Sequence, residues 1–176
     1  FAVDGSFIAA AMCGLYLNPA HDVATTLTKK KLVGFSRLIR RTTDPIMDLC
    51  GADGLTVLTE SKGALLIRHY TTTTTNTVLK REPTSTTIVD YTRQRMRKAL
   101  DEFIGRKSVQ NVVTDITVTA GNLLKILVSQ EILEDFRDLT VWRDTQDPTV
   151  IHVSAAVMPV FSVLWIDVTF RVRVRG

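Results

Sequence analysis

The sequence predicts an α+β fold: a mixed or antiparallel sheet flanked by helices, with an extended C-terminal strand. Three patterns in its 176 residues lead there. The first is strict alternation over residues 164–175. Leu164, Ile166, Val168, Phe170, Val172 and Val174 fall on one side; Trp165, Asp167, Thr169, Arg171, Arg173 and Arg175 fall on the other. A period of two, rich in β-branched and aromatic residues, marks a half-buried strand. The second is helical periodicity over residues 87–104 and again over 108–131. The third is a pair of hairpin patterns, short β runs joined by turn residues, over 55–70 and 136–157.

Taken in chain order, residues 4–17 read as a small-residue apolar helix. Asp4 or Ser6 is placed to cap it and Asn18-Pro19 to stop it. Ala9, Ala10 and Ala11 would let another backbone approach, which suits a buried helix against a sheet. Residues 28–39 carry a basic start, Lys29 to Lys31, and an apolar end broken by Gly34. Asp53-Gly54 and Lys62-Gly63 bracket the first β run, 55–59, and 64–70 supplies its partner. The threonine-rich stretch 71–77 reads as an exposed extended loop that Pro83 closes.

The helix over 87–104 is given Thr86 or Thr87 as N-cap and an apolar stripe of Val89, Met96, Leu100 and Phe103. Gly105-Arg106-Lys107 ends it with cations where the helix dipole favours them. From Arg93 to Lys107 there are six basic and two acidic residues, a local +4 equal to the net charge of the whole chain. Arg93 and Arg97 stand four apart, a like-charge pair that weakens an isolated helix by a few tenths of a kcal/mol. This arrangement fits an acidic partner, and it equally fits a solvated face whose Lys and Arg stems cover the edge of the core.

Over 108–131 propensity and period disagree. Residues 112–119 are crowded with β-branched side chains, yet Val109, Val112, Val113, Ile116, Ala120, Leu123 and Leu127 keep helical spacing for more than three turns. The sustained period predicts a helix with Gly121 as its weak point. Residues 136–143 and 149–157 then read as antiparallel strands joined by a turn at 144–148. Pro159 suits an edge or a crossover.

Hydrophobic content of 45% and charged content of 23% are those of an ordinary globular chain long enough for a proper core. No apolar run reaches membrane-spanning length. Cys13 and Cys50 have no CxxC or Cys/His spacing and read as buried thiols of a reducing compartment. His21, His69 and His152 stand apart from partners at metal-ligand spacing. There is no nucleophile elbow, phosphate-binding loop or dinucleotide fingerprint. No catalytic residue, metal site or cofactor is therefore expected.

The alternating segment would extend about 40 Å, at roughly 3.3 Å per residue, where the usual strand has about 5–6 residues. Two pairings would cover its apolar face. It could pair within its own chain, for instance with residues 150–157, leaving Arg171, Arg173 and Arg175 solvated. Alternatively it could add to the sheet of another copy, held by main-chain hydrogen bonds.

Several stretches in this order resemble the C-terminal half of tail sheath proteins from contractile phages and related contractile injection systems. They are Asp4-Gly5-Ser6-Phe7-Ile8-Ala9-Ala10, Leu27-Thr28 with Gly34-Phe35, Gly54-Leu55-Thr56-Val57-Leu58, and Leu66-Ile67-Arg68 before a threonine-rich loop. Ile88-Val89-Asp90-Tyr91 through Phe103-Ile104-Gly105 and the finish Pro159-Val160, Trp165-Ile166-Asp167-Val168-Thr169-Phe170 complete the series. The sequence departs from the family in lacking the N-terminal arm and most of the upstream sheath domain. It also departs in having Arg68-His69-Tyr70 where many members show an aromatic-Gly step.

The resemblance implies that residues 1–51 are the end of the conserved sheath α/β domain and 52–176 the sheath C-terminal domain, with 164–175 as linking strand. It implies a subunit that polymerises in stacked rings around an inner tail tube protein and contracts to drive the tube through a cell envelope. Baseplate and tail terminator proteins would be further partners, with no membrane insertion and no nucleic acid bound. The place would be the virion, in the phage tail, with assembly in the host cytoplasm. Leu164, Ile166, Val168, Phe170, Arg171, Val172, Arg173 and Val174 would then make the inter-subunit strand. Arg93, Arg97 and Lys98 would be candidates for a breakable contact with the tube. The competing expectation is a nucleic-acid-binding module built on the basic helix, which predicts clustered aromatics or helix-turn-helix spacing; neither is present.

Overall fold

The computed structural model describes residues 4–18, 20–107, 110–163, 166 and 168–170. Its helices and antiparallel strands make an α+β fold, as the sequence predicts, but the strands sort into two sheets.

The first helix, α1 (Gly5–Tyr16), starts at Asp4, whose carboxylate accepts from the Ser6 N–H at 2.8 Å. It is less covered than expected. Ala9 and Ala10 are exposed, and only one flank, Ile8, Ala11, Met12, Leu15 and Tyr16, packs on the protein. That flank meets a cluster of Leu27, Leu32, Leu65 and Ile67. The sheet beneath is β1 (Lys31–Leu32), β3 (Ala64–His69) and β2 (Val57–Ser61) in that order. The β2–β3 hairpin forms as expected, with its first strand running on to Ser61, opposite Ala64, and Gly63 at φ 74° in the turn. The boundary expected after residue 51 runs through this cluster, because β1 lies before it and its partner β3 after it.

A helix that the sequence reading passed over, α2 (Asp44–Ala52), lies against this sheet. Gly51 is in contact with His69; a Cβ there would sit 2.7 Å from the imidazole. Gly54, at φ 87°, follows the helix where a Cβ would meet the Thr72 carbonyl at 2.4 Å. The threonine stretch is tied down at its start, contrary to the exposed loop expected. Thr71 is buried, and the Thr72 N–H donates to Arg81 O at 2.7 Å. A single helical turn, α3 (Val78–Arg81), comes next.

The long helix α4 (Pro83–Leu100) begins four residues before the expected start. Pro83 takes the first turn, where its fixed φ suits a helix and its missing N–H costs nothing. The buried face also differs from the stripe expected. It consists of Thr84, Ser85, Ile88 and Thr92, with Met96 partly buried and Val89 beside it. The Thr92 hydroxyl can be buried there because it bonds the preceding turn, donating to Ile88 O at 2.8 Å. A 3₁₀ turn over Asp101–Phe103 follows, and Gly105 at φ 84° closes it.

Helix α5 (Gln110–Ser129) forms despite its β-branched residues. Val112, Ile116, Ala120, Leu124 and Leu127 are its buried stripe. By length and composition this helix could cross a membrane, which corrects the expectation that no run is long enough. Its stripe is used otherwise here, packed on α4 and on β4 (Leu133–Arg143). Leu124, Leu127, Ile88, Ile132 and Leu133 form the second core cluster. Strand β5 (Ile151–Pro159) pairs antiparallel with β4, from Arg143 opposite Ile151 to Leu133 opposite Pro159. The register slips between Arg137 and Thr140, where Asp138 takes φ 53°, a bulge. The cysteines are not buried: Cys13 is exposed and Cys50 half-buried.

The β4–β5 turn is held by one carboxylate. Asp144 accepts from the N–H groups of Gln146 at 2.8 Å and Asp147 at 2.9 Å, and His152 Nε2 lies 2.9 Å from its other oxygen. The Asp147 N–H, then His152, hold the Asp144 carboxyl down at about 2, from an ordinary 3.8. A group whose pKa is lower in the folded state contributes stability above its unfolded pKa and loses it as pH falls through the folded one. Asp144→Asn is therefore expected to lower Tm at neutral pH. The gap from the parent should close as pH falls from about 4 to about 2, read by thermal denaturation across that range.

Candidate subunit interface

Two surfaces could meet another chain. One is the β4–β5 sheet with the segment that follows it. The sheet has two strands, so among the described residues neither outer edge is paired. Its helix-side face is covered by α4 and α5 through Phe136, Leu139, Ala155 and Val157. Its other face carries Trp142 stacked on His152, with ring centroids 5.2 Å apart.

After Pro159 the chain leaves the sheet, and the Val160 N–H makes a last contact with Ile132 O at 3.4 Å. Val163, Ile166, Val168 and Phe170 are all exposed, Phe170 to 87%. None of these four lies in a strand, and residues 151–157 have β4 as their partner. Leu164, Arg171, Val172, Arg173 and Val174 lie outside the described residues.

The other surface is a groove of about 850 Å³ between the end of α4, the start of α5 and the start of β5. Its apolar lining includes Met96, Leu100, Phe103, Ile116 and Val153. Arg93 and Arg97 rim it, together with Arg106, whose guanidinium stands 4.8 Å over the Phe103 ring. The three cations singled out in the sequence are therefore divided: Arg93 and Arg97 line the groove and Lys98 does not. Arg93 is paired with Asp90 at 3.2 Å. Arg97 and Lys98 are exposed and have no ion pair among the described residues.

Helix α2 is the opposite kind of surface. No Lys or Arg occurs between residues 42 and 61, while Asp44, Asp48, Asp53 and Glu60 do. Its inner side is clasped by Arg68, which reaches Asp44 at 2.6 Å and Asp48 at 2.9 Å, with His69 Nε2 3.0 Å from Asp48. Hydrogen bonds from His69 and then Arg68 keep the Asp48 carboxyl below the usual carboxylate range. Its outer side shows Ile46 (51% exposed), Leu49 (62%) and Asp53, at i, i+3 and i+7. The signal that could have revealed this helix is Thr43-Asp44-Pro45, an N-cap type, a first-turn acid and a first-turn proline in sequence. Among the described residues no group of three or more His, Cys, Asp or Glu side chains could hold a metal ion.

No protein-family model and no curated protein matches the chain. Solved structures do. A chain of the anti-feeding prophage baseplate superposes with TM-score 0.81 over 99% of this chain, at 18% identity. A chain of the anti-feeding prophage helical sheath in its contracted state gives 0.76 over 93%, at 17% identity. The sheath tail protein of Listeria innocua gives 0.68 over 81%, also at 17%. The fold is thus that of contractile sheath proteins. The chain spans about half the length of the two anti-feeding prophage chains (51% and 49%) and 36% of the Listeria protein.

Proposed function

We propose that this chain belongs to a structural subunit of a contractile sheath, which polymerises around an inner tail tube protein and contracts to drive it through a cell envelope. The observation that carries the reading is the superposition on a helical sheath chain over 93% of these residues. Stacked rings of identical subunits must stay linked while they shorten. Strand exchange would do this, with residues 164–175 of one copy adding to an open edge of the β4–β5 sheet of another.

Charge favours the β4 edge as acceptor. The tail brings Arg171, Arg173 and Arg175, and β4 carries Glu134, Asp135 and Asp138 near its start. The β5 side instead faces the rim of Arg93, Arg97 and Arg106. Of the three cations expected at the tube, Lys98 lies outside the groove and would make a screened contact with an acidic tube that can release during contraction. Baseplate and tail terminator proteins would bound the polymer at its ends. The particle would be a phage tail or a related injection device, assembled in the host cytoplasm. No catalytic step is assigned. Energy would reside in the extended lattice and be released by rigid-body rotation of subunits.

Electron microscopy of the purified full-length protein tests this reading. Tubular or ring polymers are the expected result, and monodisperse monomers at high concentration would defeat it.

A further inference from the structure

We infer that the basic groove at the end of α4 receives the outer face of α2 from a second copy of this chain. This rests on the homopolymer reading above and names the residues of one of its contacts. The two surfaces are complements in charge and in kind. The groove is apolar inside, with Met96, Leu100 and Phe103, and Arg97 on its rim has no ion pair of its own among the described residues. The α2 face offers two exposed apolar side chains, Ile46 and Leu49, in line with Asp53. The Asp53 carboxylate has no ion pair either among the described residues. Apolar anchors with flanking opposite charges give an interface both burial and register.

The tail is the wrong occupant for this groove. Its arginines would meet like charge at the rim, and Ile166, Val168 and Phe170 are exposed rather than housed there.

Placement also favours a second copy over a contact within one chain. Gly51 O accepts from Thr71 Oγ1, and Thr72 is bonded to Arg81 beside the first turn of α4. The α2 surface therefore sits near the start of α4. Arg97 lies 14 residues further along that helix, about 21 Å at 1.5 Å per residue. A patch and a groove at different places on one protomer can meet head-to-tail, a contact that closes into a ring or runs on as an open helix.

The experiment is a charge swap read by electron microscopy and sedimentation. Arg97→Glu and Asp53→Lys are purified separately, and their Tm values are compared with the parent as a check on folding. Each alone is expected to raise the concentration needed for polymerisation at least about tenfold, because like charges then face each other. Mixed in equal amounts the two variants restore opposite charges at every junction, and polymers are expected to return. If the single variants polymerise like the parent, or if the mixture stays unassembled, the contact is wrong and the sheath reading stands. A parent protein that does not polymerise overturns both.

Discussion

Deletion of residues 164–176 is expected to leave a folded protein that no longer forms polymers. Both core clusters are built from residues between Ile8 and Val157, so the deletion removes no member of either. Of the described residues of that segment, Ile166, Val168 and Phe170 are apolar and exposed. In an added strand, each main-chain hydrogen bond contributes about 0.5–1.5 kcal/mol and each buried Val or Phe about 1.5–3 kcal/mol. Even a few of each amount to several kcal/mol, so the assembly threshold should rise by more than about a hundredfold. Circular dichroism should match the parent while sedimentation and microscopy show only small species. Tubes that persist at the parent's threshold would remove strand exchange from the account.

The second large effect is expected in the core. Leu124 is fully buried where α5 meets α4 and the β4–β5 sheet, in one cluster with Ile88, Leu127, Ile132 and Leu133. Leu124→Ala should destabilise the fold by about 2–5 kcal/mol, the sum of lost transfer energy and the cavity left behind. That is a large share of the roughly 5–15 kcal/mol that holds a typical domain. Ile126, two residues away and 51% exposed, provides the contrast. Ile126→Ala should change stability by no more than about 0.5 kcal/mol. Urea denaturation of both variants measures the difference, and equal midpoints would place α5 in a different packing.

Where period and turn chemistry agreed, the sequence was sufficient. Both hairpins are found, and α5 forms where sustained spacing outweighed its β-branched residues. The fit was poorer where polar residues make up the core. Thr84, Ser85 and Thr92 are buried on α4, so a stripe defined by hydrophobicity settled on Val89 and Phe103 and left out Ile88. The Thr92 hydroxyl returns to the Ile88 carbonyl and that of Thr84 turns to the Glu82 carboxylate, links that no apolar period records. Helix α2 was missed for a related reason. Only Met47 and Gly51 are buried, and Ile46 and Leu49 face outward, so its pattern looks irregular. The groove could not be read at all, because it brings the start of β5 against a helix pair more than 30 positions earlier.

Helix α4 is shared by the two core clusters. Near its start the Thr87 hydroxyl meets Tyr16 of the first cluster, and from Ile88 to Met96 it is seated in the second. A rod of about 27 Å bonded along its axis resists compression far better than the loops around it. A push on one cluster would therefore arrive at the other as displacement, with little lost to bending. On the proposed sheath reading, in which whole subunits move, such a strut would let force cross the protomer without melting any part of it.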